Sequence, residues 1–157
     1  MAPAPLDRNG PYAAVTGSTL LDTTDDGTCA SLAGYSGYFF RARDAEKFVT
    51  NVDIFAYQVI AASYMPTDTT GNPCSSAGSA TLYVFRVNCG EGFFGGTNGD
   101  ARRLDLGAGM PTDPRITVSP SGTRVVVTQQ DGELENREGP PIDPEKLGQL
   151  YWREVTD

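Results

Sequence analysis

The sequence predicts an all-β protein, and three observations carry that prediction. Apolar and polar residues alternate through most of the chain instead of recurring at helical spacing. The apolar stretches are short, β-branched or aromatic, and are bounded by Gly, Pro, Asn or Asp. Finally, 18 Gly and 11 Pro among 157 residues supply the turns that many short strands require.

Taken in order, residues 1–10 read as a linker-like start, because Pro3 and Pro5 alternate with alanines and oppose regular structure. A strand over 13–21 leads to an acidic turn at Asp22, Asp25 and Asp26. Further strands are predicted at 38–43, 48–55, 57–64, 80–87 and 102–106, and then at 114–118, 123–129, 132–136 and 149–155. The clearest are 57–64, 80–87 and 123–129. Gly71-Asn72-Pro73, Gly95-Gly96, Asn98-Gly99, Ser121-Gly122 and Asp131-Gly132 mark turns between them. One helical turn is expected over 144–147, capped by Asp143 with Pro144 at its first position.

Laid side by side, the two halves repeat. Strands 48–55, 57–64 and 80–87 form a triplet closed by 102–106. Strands 114–118, 123–129 and 132–136 follow the same order, with 149–155 available to close them. Four antiparallel strands in a unit of about 40 to 50 residues describe a propeller blade. The expected organisation is a partial blade with an acidic loop over 11–36, a penultimate blade over 37–106 and a final blade over 107–157. A propeller closes with about 4 to 8 blades, so the chain reads as a C-terminal fragment of a β-propeller. Its missing blades would lie on another chain or be replaced by copies of itself.

Several motifs stand in an informative order. Gly37-Tyr38-Phe39-Phe40 precedes Glu46-Lys47-Phe48-Val49-Thr50. Met65-Pro66 follows the strand 57–64, and Asn72-Pro73-Cys74, Gly78 and Leu82-Tyr83-Val84-Phe85 come next. Leu106-Gly107-Ala108-Gly109-Met110-Pro111 enters another strand, and Tyr151-Trp152-Arg153-Glu154 lies near the end. In this order they resemble the C-terminal propeller of the PilY family of type IV pilus biogenesis and tip-adhesin proteins, over most of the chain. Ala77, Met110 and Asp53 depart from the family's usual residues. The Asp-x-Asp-x-Asp-Gly calcium loop of some members is absent, so calcium dependence does not carry over. The resemblance implies a non-catalytic role in pilus assembly, tip display and attachment, with pilins or other pilus components as partners. It also implies an extracellular location at the pilus or cell surface, after export through the periplasm within a longer precursor. The rival readings are a fragment of a quinoprotein-like propeller enzyme and a small self-assembling ligand-binding β domain.

The chemistry available to the chain is narrow. It has no His, which removes Ser-His-Asp and Cys-His catalysis and imidazole metal ligands. A formal charge of -8 without a Lys/Arg block opposes binding to nucleic acid. No apolar run approaches the ~20 residues of a membrane span, and the first ten residues lack a signal-peptide layout, so Met1 reads as a secondary or added start.

Cys29, Cys74 and Cys89 are too few and too dispersed for a zinc site. A disulfide between Cys74 and Cys89 is expected, with Cys29 to Cys74 as the alternative. Asp22, Asp25 and Asp26 are calcium candidates, although a solvated acidic turn accounts for them without an ion. The carboxylates Glu133, Glu135, Glu138, Asp143, Glu145, Glu154 and Asp157 read as acidic turns rather than a catalytic pair. Most aromatic residues are expected in packing, with Phe93 and Phe94 in their Gly-rich loop the candidates for a contact surface.

Overall fold

A computed structural model describes residues 15–66, 78–129, 132 and 134–141. Strand accounts for 50% and helix for 6%, so the all-β expectation holds. The predicted linker, the turn at 71–73, the helical turn at 144–147 and the strand at 149–155 lie outside the described residues.

The centre of the fold is the pair β5 (Gln58–Pro66) and β6 (Gly78–Arg86), antiparallel in unbroken register from Gln58 opposite Arg86 to Pro66 opposite Gly78. β7 (Arg103–Ala108) adds antiparallel to the free side of β6, with a register shift between Ala80 and Thr81. β3 (Lys47–Phe48) and β4 (Asp53–Phe55) both pair with β5, completing a five-stranded sheet. A second, three-stranded antiparallel sheet has the order β10-β9-β8, formed by β8 (Arg115–Ser119), β9 (Gly122–Thr128) and β10 (Leu134–Glu138). No sheet closes on itself among the described residues.

The two sheets share one core. Ile60, Ala80, Leu82 and Val84 from the middle of the first sheet meet Leu106 of β7 and Val125 and Val127 of β9. β9 alternates cleanly, with Thr123, Val125 and Val127 buried between less buried neighbours, as expected for a strand with one face on the core. β5 and β6 do not alternate at their centres, because their other face is also covered. There Phe40 stacks on Tyr83 with ring centres 6.0 Å apart, while Phe48 and Phe85 complete an edge-to-face cluster. Successive side chains therefore enter apolar surroundings on both sides, which explains the near-continuous apolar runs in 57–64 and 80–87.

Three local departures from the sequence reading have clear causes. The expected strand 48–55 is split: the Thr50 hydroxyl accepts from the Ala62 amide at 2.9 Å and donates to the Ala62 carbonyl at 3.1 Å. A side chain thus takes the place of the main-chain ladder and separates β3 from β4. Strand 57–64 begins one residue late, since Ala56 (φ 49°) and Tyr57 (φ 62°) form the left-handed two-residue turn of the β4–β5 hairpin. The region expected to form a partial antiparallel blade instead holds a 3-10 turn, Gly17–Thr19, and β1 (Leu20–Asp22). β1 runs parallel to β2 (Gly37–Phe39), with Leu20 opposite Gly37. The 14 residues between Asp22 and Gly37 leave room for the crossover that parallel pairing demands.

Candidate functional site

A buried carboxylate organises the aromatic face of the central sheet. The chain turns sharply between Arg43 and Glu46, with Ala45 at φ 63° and the Glu46 amide donating to the Arg43 carbonyl at 3.0 Å. This turn returns the Glu46 side chain over the sheet, where it is fully buried. Its Oε2 accepts from the Arg43 main-chain amide at 3.0 Å, from Arg43 Nε at 3.1 Å and from the Tyr83 hydroxyl at 2.8 Å. Its Oε1 accepts from Ser63 Oγ at 2.5 Å and from Arg43 Nη2 at 3.2 Å. Burial pushes the carboxyl toward protonation, but these donors outweigh it and hold the group down at about 2. Tyr83 is pushed well above the usual phenol range, first by burial and then by the Glu46 anion that accepts its hydrogen bond. Arg43 also donates to Thr81 Oγ1, so strands β5 and β6 and the 40–46 loop converge on one anion. With its lone pairs occupied, Glu46 serves as an anchor. The one signal for it in the sequence is a Glu between the aromatic segments 38–40 and 48.

The disulfide differs from both pairings the sequence suggested. Cys29 is bonded to Cys89, with Cα atoms 5.1 Å apart and 60 residues of separation. β6 begins at Gly78 and ends at Arg86, so Cys89 lies beyond the far end of a strand about 27 Å long. Cys74 itself is outside the described residues. The Glu91 carboxylate lies within 4.8 Å of both sulfurs, but sulfurs bonded to each other present no thiolate to a metal.

The acidic turn is occupied by local bonds. Asp22 Oδ1 accepts from the Thr24 amide at 3.0 Å and from its hydroxyl at 2.5 Å, and Asp26 Oδ1 accepts from the same two groups of Thr28 at 2.8 and 2.7 Å. Those bonds hold both carboxyls below their ordinary range against a small opposing effect of desolvation. Among the described residues, Asp22, Asp25 and Asp26 do not bring three ligand oxygens within reach of one ion. The turn instead docks onto the 97–102 segment: Gly27 donates to the Thr97 carbonyl at 3.0 Å, and Gly99 donates to the Asp25 carbonyl at 3.2 Å. Added Cβ atoms at Gly27 and Gly99 would meet the carbonyl oxygens of Asn98 and Thr24, so close approach requires glycine at both places.

Phe93 and Phe94 do not form the exposed contact pair expected of them. Both rings are half-buried against the core cluster, edge-to-face at 5.4 Å. Exposed apolar side chains include Val52, just before β4, and Ile54 on it, 56% and 65% exposed. Ile54 lies opposite Val59, which lies opposite Phe85, forming an apolar row across three strands on the aromatic face of the sheet. Of the acidic residues near the C-terminus, Glu135 pairs with Arg137 at 2.8 Å and Glu138 is exposed. Glu133, Asp143, Glu145, Glu154 and Asp157 lie outside the described residues.

No family model, curated protein or solved structure matches this chain.

Proposed function

We propose that the chain is a non-catalytic contact module of an exported type IV pilus tip or assembly protein, built as the closing part of a β-propeller and acting through protein or surface contacts. The observation that carries the reading is strand order. β3/β4, β5, β6 and β7 lie side by side in sequence order, β8, β9 and β10 do the same, and the central sheet is covered on both faces, as a blade between neighbours would be. Several motifs that resemble the PilY family, Glu46-Lys47-Phe48-Val49-Thr50, Leu82-Tyr83-Val84-Phe85 and Leu106-Gly107-Ala108-Gly109-Met110-Pro111, include residues of β3, β6 and β7 and support the reading. A disulfide suits an oxidising compartment outside the cytosol. The exposed β4 edge, with Val52 and Ile54, offers main-chain groups and apolar area to a further blade, a pilin or a second copy.

Co-sedimentation of the oxidised chain with purified type IV pili tests the proposal. Saturable binding, weakened at least tenfold by the double change Val52→Asp and Ile54→Asp, is the expected result. Failure of the folded chain to sediment with pili, or binding indifferent to that change, overturns it.

A further inference from the structure

Four of the chain's 12 basic residues converge on one small cavity. Arg41 and Arg43 come from the loop after β2. Arg102 and Arg103 come from the end of the 3-10 turn Gly99–Arg102 and the start of β7. The cavity measures about 160 Å³, and Asp25 is the single carboxylate in its lining. At ~30 Å³ per water, this is room for a handful of waters or one small oxyanion.

The guanidinium groups are held in different ways. Arg43 is fixed by Glu46 at 3.1 Å, Arg41 leans on Asp22 at 3.5 Å, and Arg103 pairs with Asp100. None of those three carboxylates lines the cavity. Arg102 has no carboxylate within ion-pair distance among the described residues, although its side chain is buried. Its Nε donates to the Gly90 carbonyl, its Nη2 donates to the Asp26 carbonyl, and its guanidinium carbon lies 5.0 Å from the centre of the Phe40 ring. Those contacts use two of its three nitrogens and supply only neutral acceptors, leaving Nη1 beside Gly99, which with Arg102 lines the cavity.

We infer that this cleft between the 40–46 loop and the Gly99–Arg102 turn is a binding site for a single oxyanion group, a carboxylate or a sulfate-like tetrahedral anion. A rigid guanidinium fork matches either geometry. Recessed charge with four guanidinium groups against one carboxylate also concentrates anions, even on a protein with net charge -8. The site is independent of the pilus reading and of the β4 edge.

The test is titration of the isotope-labelled oxidised chain with sulfate, and separately with acetate, at constant ionic strength set by chloride, following the amide signals of Arg41, Gly99 and Arg103. Saturable shifts confined to this cleft are expected. Arg103→Gln should weaken binding about fivefold, Asp25→Asn should strengthen it about threefold, and Arg115→Gln, on β8, should leave it unchanged. Arg103 and Asp25 are chosen because changing the buried Arg102 risks the fold. Tighter sulfate binding assigns the site to tetrahedral anions, and tighter acetate binding assigns it to a carboxylate of a protein or small acid. Linear shifts with both anions, or equal losses in Arg103→Gln and Arg115→Gln, overturn the inference.

Discussion

Replacing Glu46 by Gln removes one charge from the middle of the fold while nearly preserving shape, and its effect can be worked from the structure. The carboxyl is held at about 2, against 4.5 for an unperturbed group. At 1.36 kcal/mol per pH unit, that difference corresponds to about 3 kcal/mol of stability. Because the folded value is the lower one, this contribution is complete above pH 4.5 and is lost as pH falls through about 2. The expected result at pH 7 is a variant about 3 kcal/mol less stable than the wild type, within the range seen when one partner of a buried pair is removed. The two proteins should then converge between pH 5 and 2, since the wild type alone has this carboxylate to titrate. Urea unfolding followed by far-ultraviolet circular dichroism at pH 7, 4, 3 and 2 measures both effects. Equal stability at pH 7, or a gap that persists unchanged to pH 2, refutes the assignment of Glu46 as the ionised anchor. Tyr83→Phe provides a milder control that removes one donor and should cost about 1.5 to 3 kcal/mol, as for a hydrogen bond to a charged group.

Peptide mapping without reduction should recover Cys29 linked to Cys89, and Cys29→Ser with Cys89→Ser should cost about 4 kcal/mol through the 60-residue separation it opens. A map linking Cys74 to either residue counters that pairing. Leu82→Ala in the shared core should destabilise the chain by about 2 to 5 kcal/mol in chemical denaturation. A change below 1 kcal/mol means the two sheets do not pack as described. Ala56→Gly should raise the unfolding free energy by about 1 kcal/mol, because Ala56 occupies a left-handed conformation at φ 49°. A loss of stability means that this turn is not left-handed in solution.

What the sequence determined alone was local. Alternation, β-branching and turn residues located β5, β6, β9 and most weaker strands to within a few residues, because each signal is carried by consecutive side chains. Ser121-Gly122 marked the β8–β9 hairpin, where Gly122 at φ 126° adopts a backbone conformation open to glycine. The meander order was legible too, since antiparallel neighbours need only short connections.

Tertiary structure decided what depended on distance along the chain. The parallel pairing of β1 with β2, the Cys29–Cys89 bond, the anchoring of Glu46 by Arg43, Ser63 and Tyr83, and the meeting of Arg41 and Arg43 with Arg102 and Arg103 all join separated segments. Phe93 and Phe94 make the same point in reverse: their Gly-rich surroundings suggested exposure, yet return of the chain along β6 places both rings against the core. Local pattern reports what a segment can become. Which surface covers it is set by packing free energy among residues dozens of positions apart, and no local window contains that information.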